Sequence, residues 1–188
     1  MLNSKFTIRQ MTITALMVAT LIVCSQIAFN LPGGIPVTMQ TFGIALIGFL
    51  LGTKLGTIAV GVYLLIGLIG LPVFSNFGSG PAKLLGPTGG YLIGFLPMVL
   101  LIGLAIDLFN KNETSGRFVW LFVLPSIGLA ACHLLGVVWL SVGTDMSFLA
   151  AAAVGSIPFI IKDIASVILG YFIAQILSKP LNKVLVKA

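Results

Sequence analysis

The chain has 188 residues, of which 59% are hydrophobic and only 7% are charged, and its mean hydropathy is +1.19. A soluble domain has about a quarter of its residues charged because its surface faces water, so this composition excludes a soluble globular protein and predicts a polytopic membrane protein. The formal net charge is +6, but the basic residues lie at the ends of hydrophobic segments without interleaved aromatic residues, which disfavours nucleic acid as a partner.

Long hydrophobic segments recur along the whole chain and predict an all-α protein, a single integral membrane domain over residues 1–188. A helix that crosses the hydrocarbon core needs about 20 residues and satisfies its own backbone hydrogen bonds. We place six transmembrane helices at residues 11–29, 39–52, 55–71, 91–109, 118–142 and 157–177. The first segment has no small-x-small cleavage site after it, so we interpret it as a retained helix and not a signal peptide. Only a short joint at Lys54 separates the second and third helices, which predicts a tight hairpin.

The distribution of basic residues predicts the orientation in the membrane. An even number of helices places both termini on one side. The segments on that side contain Lys5, Arg9, Lys54, Lys111, Arg117, Lys179, Lys183 and Lys187. The opposite side contains only Lys83. The positive-inside rule therefore predicts a cell-membrane protein with both termini in the cytoplasm and with residues 30–37 and 72–90 facing outward.

Two adjacent charges, Lys162 and Asp163, interrupt the last hydrophobic segment. Each costs about 2.5–3.5 kcal/mol near the middle of a membrane helix, so both side chains are expected to face protein or water. Neighbouring helical residues point about 100° apart, which predicts that the two do not form a good mutual salt bridge and that at least one reaches a ligand or another helix. Pro158 either kinks this helix or lies in its first turn.

The glycine-rich outward connection is the second candidate for ligand binding. Asn76 offers hydrogen-bond donors and acceptors, while Phe74, Phe77 and Tyr91 offer apolar faces. A connection of this length with apolar residues is often a lid over a binding site. The alternative is a loop that lies at the membrane surface for packing alone.

Isolated polar residues within the helices give weaker indications. Gln40 and Thr41 are candidates for hydrogen bonds to a ligand or to a neighbouring helix. For His133 a satisfied contact between helices is favoured over a proton relay. Cys24 and Cys132 are far apart and are interpreted as buried structural thiols. The sequence contains no metal-ligand spacing, no catalytic constellation and no Walker motif.

Several segments have a characteristic sequence: residues 37–41 (VTMQT), 67–74, 86–95 (GPTGGYLIGF), and Pro158-Phe159 followed by Asp163. In these segments the chain resembles the BioY family, the biotin-specific S-components of energy-coupling factor (ECF) transporters. The resemblance is collinear over nearly the whole chain. It implies a six-helix S-component fold with a biotin pocket on the outer side. It also implies a transmembrane coupling protein and two ATP-hydrolysing subunits as partners, with no cofactor bound by this chain.

The resemblance also implies roles for individual residues. Ala15 and Ala19 match the Ala-x-x-x-Ala motif by which S-components contact the coupling protein. Asp163 matches the family aspartate, but Lys162 stands where the family often has glycine, and Ser166 stands where it often has lysine. Either Lys162 takes the place of the family lysine, or a different group binds the carboxylate of the ligand.

Biotin requires acceptors for its ureido N–H groups, apolar walls for its rings and a donor for its carboxylate. We predict that Asp163 accepts from the ureido ring and that Lys162 pairs with the carboxylate. The remaining predicted contacts are polar ones from Asn76, Gln40 or Thr41 and ring contacts from Phe74, Phe77 and Tyr91. Two other functions remain open: an S-component for another vitamin, and a proton-coupled secondary carrier in which Asp163 or His133 is the relay.

Overall fold

The computed structural model of the chain describes residues 6–30, 35–111 and 117–185. Its elements are α1 (Ile8–Gln26), β1 (Ala28–Asn30), β2 (Pro36–Thr38), α2 (Gln40–Leu68), a 3-10 turn (Ser75–Phe77), α3 (Gly80–Leu85), α4 (Gly89–Lys111), α5 (Phe118–Gly143), α6 (Phe148–Gly155) and α7 (Ile157–Leu185). Lys5, Lys187 and part of the predicted 30–37 connection lie outside the described residues. Within those residues, α1, α2, α4, α5 and α7 are long and apolar enough to cross a membrane. The chain is thus a mainly helical, multi-pass membrane protein.

The long helix α2 reverses its direction at Gly52. This residue has a φ of 71°, which glycine adopts without steric cost. The side-chain amide of Gln40 donates to the hydroxyl of Tyr63 at 2.8 Å, although a straight helix would separate these residues by about 35 Å. The predicted hairpin is therefore confirmed, with its turn at Gly52 and not at Lys54. The Asp107 carboxylate accepts from the backbone N–H of Thr53 at 3.0 Å and holds the turn against α4.

The helices pack around α2 and α4. The hairpin of α2 contacts α1, α4 and α7, while α5 packs mainly against α4. Small residues permit the close approach: a Cβ added to Gly94 of α4 would lie only 2.9 Å from the Cα of Cys132 in α5. Cys24 and Cys132 are buried and free, as predicted. The space between α5 and α7 is open at two places.

The start of α1 differs from the prediction. It begins at Ile8 because Thr7 and Gln10 form a capping box, in which each side chain accepts from the other residue's backbone N–H. It ends at Gln26, after which β1 pairs antiparallel with β2. Neither this small hairpin nor the short helix α6 was predicted from the sequence.

The starts of α5 and α7 lie where the hydrophobic pattern predicted them, at Phe118 and Ile157. Pro158 is the second residue of α7. In the first helical turn a backbone N–H has no intrahelical partner, so proline is tolerated there without a kink. Of the two interpretations of Pro158, the structure supports the helix start.

Candidate functional site

A polar cavity lies where β2 and the adjoining ends of α2, α4 and α5 meet the start of α7. Its empty space is about 530 Å³, including the part that opens to the surroundings. Its polar lining consists of Thr38, Gln40, Thr41, Ser75, Thr88, His133, Lys162 and Asp163. Its apolar lining includes Ile35, Leu92, Phe95 and Phe159 together with the ring of Tyr91. We call this space the Asp163 cavity.

Asp163 is the most buried charge of the cavity, with 7% of its side chain exposed. One carboxylate oxygen, Oδ2, lies 3.2 Å from Nε2 of His133. The other oxygen, Oδ1, faces the ammonium group of Lys162, and the hydroxyl of Thr41 is within reach of the carboxylate. Asp163 thus has polar neighbours on α2, α5 and α7, and a buried carboxylate needs polar partners to remain ionised.

Lys162 pairs with its neighbour Asp163, so the prediction that these two residues do not form a mutual salt bridge was wrong. The directions of the Cα–Cβ bonds alone do not decide whether the charged groups meet. A lysine side chain has a long flexible stem, and its ammonium group bends back across the helix surface. The same ammonium donates to the backbone carbonyl of Thr38 at 2.8 Å. Lys162 therefore also connects α7 to β2.

His133 connects α5 to the junction of α6 and α7. Its Nδ1 lies 2.8 Å from the hydroxyl of Ser156, while its Nε2 faces Asp163. With the proton on Nε2, the imidazole donates to the carboxylate and accepts from Ser156. The predicted contact between helices is confirmed. His133 was not among the predicted ligand-binding residues, although an ionisable residue within a membrane helix is itself an indication of a functional site.

Gln40 and Tyr91 line the cavity and also hold the backbone framework around it. Gln40 accepts from the hydroxyl of Thr38 at 2.9 Å, in addition to its hydrogen bond with Tyr63. The hydroxyl of Tyr91 donates to the carbonyl of Gly155 at 2.6 Å. Both residues therefore make contacts between elements and present part of their surface to the cavity.

Phe74, Asn76 and Phe77 do not line the Asp163 cavity. Phe74 is fully buried, edge-on to Tyr63 with 5.4 Å between the ring centroids. Asn76 is exposed in a left-handed conformation with a φ of 57°, and Phe77 has 71% of its surface exposed. Gln26 fixes this turn, because its side chain donates to the carbonyl of Phe74 and accepts from the N–H of Phe77. In this arrangement Phe74 serves packing, while Ser75 is the residue of the turn that reaches the cavity.

Ala15 and Ala19 lie on the exposed face of α1. The opposite face, with Met17, Val18 and Leu21, is buried in the core. Two alanines four residues apart lie one above the other on a helix and leave a shallow surface for another helix.

The chain matches the BioY family over residues 1–183. It belongs to the BioY family. This BioY-family chain is 37% identical over 171 residues to the "Biotin transporter BioY" of Thermotoga maritima, a match covering 91% of this chain and 96% of the relative. It is 34% identical over 169 residues to the "Probable biotin transporter BioY" of Pyrococcus horikoshii, which covers 89% and 94% of the two chains.

Among solved structures, this BioY-family chain resembles the crystal structure of "the S-component for biotin from an ECF-type ABC transporter". The TM-score is 0.80 at 31% sequence identity, and the match covers 93% of this chain and 95% of that one. Within the described residues, no three His, Cys, Asp or Glu side chains converge on a metal-sized site.

Proposed function

We propose that this chain captures biotin at the outer face of the cell membrane, as the substrate-binding component of an ECF-type transporter. The observation that carries the proposal is the Asp163 cavity, a buried carboxylate between apolar walls, in a chain of the BioY family. Members of this family are transport components and not enzymes.

The chemistry of biotin matches the cavity group by group. The ureido ring has two N–H donors, and the Asp163 carboxylate is the buried acceptor. Phe95, Phe159 and Tyr91 form apolar walls for the fused rings. The carboxylate of biotin would attract the ammonium of Lys162 away from Asp163, so that the ureido ring replaces Lys162 as a partner of Asp163. His133 and Thr41 would hold the Asp163 carboxylate in place during this exchange.

We infer a six-crossing topology with both termini in the cytoplasm. The turn at Gly52 divides α2 into arms at residues 40–51 and 53–68, about 18 and 24 Å long at 1.5 Å per residue. Each arm is shorter than the hydrocarbon core of about 30 Å, so the residues that flank the arms would complete both crossings. Lys54 at the turn then lies on the same side as Lys111 and Arg117, which agrees with the positive-inside rule.

We infer further that Ala15 and Ala19 contact the transmembrane coupling protein, and that two partner ATPase subunits supply the energy. The support is the exposed position of both alanines and the absence of a Walker motif from the sequence. The variant Ala15→Trp is expected to abolish biotin uptake by cells with the whole transporter while leaving biotin binding unchanged. Leu16→Trp, a neighbouring exposed position, is the matched control and should retain uptake. Equal uptake by both variants would contradict this interface.

The proposal is tested by calorimetry of biotin with the purified protein in detergent, with thiamine and riboflavin as controls. One-to-one binding of biotin alone supports the proposal. Binding of thiamine or riboflavin in place of biotin would assign another vitamin to the cavity. The contact between His133 and Asp163 is the feature that a proton-coupled carrier would use. In that case uptake would need no partner subunit and would stop when the proton gradient is dissipated.

A further inference from the structure

A second opening between α5 and α7 is almost entirely apolar. It begins next to the Asp163 cavity, at Leu129 and Ile164, and continues along both helices to Phe118 and Phe172. Phe49 of α2 lines it as well and lies edge-on to Tyr171. The empty space is about 920 Å³, including the part open to the surroundings. We call it the α5–α7 crevice.

The length of the crevice corresponds to one leaflet of a bilayer. From Phe118 to Leu129 the helix rises about 16 Å at 1.5 Å per residue. This is about half of the hydrocarbon thickness of about 30 Å. A transmembrane helix of a partner protein would extend through both leaflets, whereas a single acyl chain ends near the middle of the bilayer. The dimensions therefore favour an acyl chain.

Basic residues outnumber acidic ones at the end of the crevice farthest from Asp163. Arg117 precedes Phe118, and its guanidinium group lies 5.6 Å from the centre of the Phe118 ring and 4.6 Å from that of Phe109. Lys111 and Lys179 are exposed near the same end of the bundle. Asp107 is an acidic residue at this end of the described structure. Its carboxylate accepts a hydrogen bond from the backbone N–H of Thr53. An anionic group at the mouth of the crevice would therefore meet cations, and a guanidinium binds phosphate in a bidentate manner.

We propose that the α5–α7 crevice binds an anionic phospholipid, with one acyl chain between the helices and its phosphate at Arg117. The lipid fills the open space between α5 and α7. The same two helices carry His133 and Asp163, so the lipid supports the spacing of the helices directly beneath the ligand cavity.

The test is native mass spectrometry of the full chain in detergent, with phosphatidylglycerol and phosphatidylcholine as probes. Wild type should retain phosphatidylglycerol in preference to phosphatidylcholine. Arg117→Gln should reduce this preference about fivefold, since one basic contact contributes about 1 kcal/mol. Ser126→Trp, which fills the crevice from one wall, should abolish retention.

The matched controls are Lys83→Gln for the charge, because Lys83 of α3 lies at the opposite end of the bundle, and Val123→Trp for the added bulk, because Val123 is exposed on α5 outside the crevice. Both should behave as wild type. Equal retention of the two lipids by wild type would overturn the proposal. So would a preference that survives Arg117→Gln, or retention that survives Ser126→Trp. The readout is lipid mass, so the result is independent of whether biotin is the ligand.

Discussion

The Asp163 cavity and the adjoining loop, residues 72–88, differ in what their side chains do. The cavity collects polar groups from several helices around one buried carboxylate. The loop inserts Phe74 into the core and leaves Phe77 exposed, and it contributes Ser75 and Thr88 to the cavity wall. The comparison indicates that helices provide the chemical groups of the site, while the loop provides mainly packing and a border.

The difference has a physical cause. A charge within a membrane helix is costly, so it persists where other helices supply partners, and those partners lie around a cavity. An aromatic residue in a loop is tolerated both in the core and at the surface. Phe74 is buried and Phe77 is exposed. The sequence does not predict which of the two is buried.

The largest expected effect separates Phe74 from Phe77. Phe74→Ala should lower the free energy of unfolding by about 3–5 kcal/mol, because it removes a fully buried ring that packs against Tyr63. Phe77→Ala, the matched control, should change it by less than about 0.5 kcal/mol. Thermal unfolding in detergent measures both. A loss of stability from Phe77→Ala equal to that from Phe74→Ala would show that the loop packs differently.

The next effect concerns the charge that meets the ligand. Lys162→Met should weaken binding of biotin by about tenfold or more, since a hydrogen bond to a charged group contributes about 1.5–3 kcal/mol. Binding of biotin methyl ester, which lacks the carboxylate charge, should change much less. Calorimetry with the two ligands gives the comparison. If the variant loses affinity equally for both, Lys162 does not recognise the carboxylate.

A smaller effect is expected at His133, which we interpret as a positioning residue for Asp163. Glutamine places an N–H near the position of Nε2, whereas asparagine places one near Nδ1. His133→Gln should therefore retain biotin affinity better than His133→Asn, by about three- to tenfold for one hydrogen bond. Biotin titrations of both variants measure the difference. Equal affinities would mean that His133 acts only through packing.

Much of the helical framework is predictable from the sequence. The lengths of the hydrophobic segments predicted the positions of α4, α5 and the start of α7. The short joint near Lys54 predicted the α2 hairpin. Hydropathy contains no information about the strand pairing of β1 and β2. The turn lies at Gly52 because glycine adopts its φ and Asp107 caps the following N–H, and the second of these is a contact with a distant helix.

The site was predictable only in part. Asp163 and Lys162 stood out because charges are rare in membrane helices, and Gln40, Thr41 and Tyr91 also line the cavity. The role of His133 depends on Ser156 and Asp163, which lie 23 and 30 positions along the chain, so it required the packing of α5 against the junction of α6 and α7. The salt bridge of Lys162 with Asp163 depends on a side-chain rotamer that spacing alone does not determine.

The measurement that tests the central claim most directly is calorimetry of biotin with Asp163→Asn beside the wild type. Asparagine keeps the shape of the side chain but removes the charge that accepts from the ureido ring. Asp145→Asn, an exposed aspartate that does not line the cavity, is the matched control. We predict that Asp163→Asn weakens biotin binding by about ten- to a hundredfold, while Asp145→Asn leaves it unchanged. An Asp163→Asn affinity within about twofold of wild type would contradict the assignment of this cavity as the biotin site.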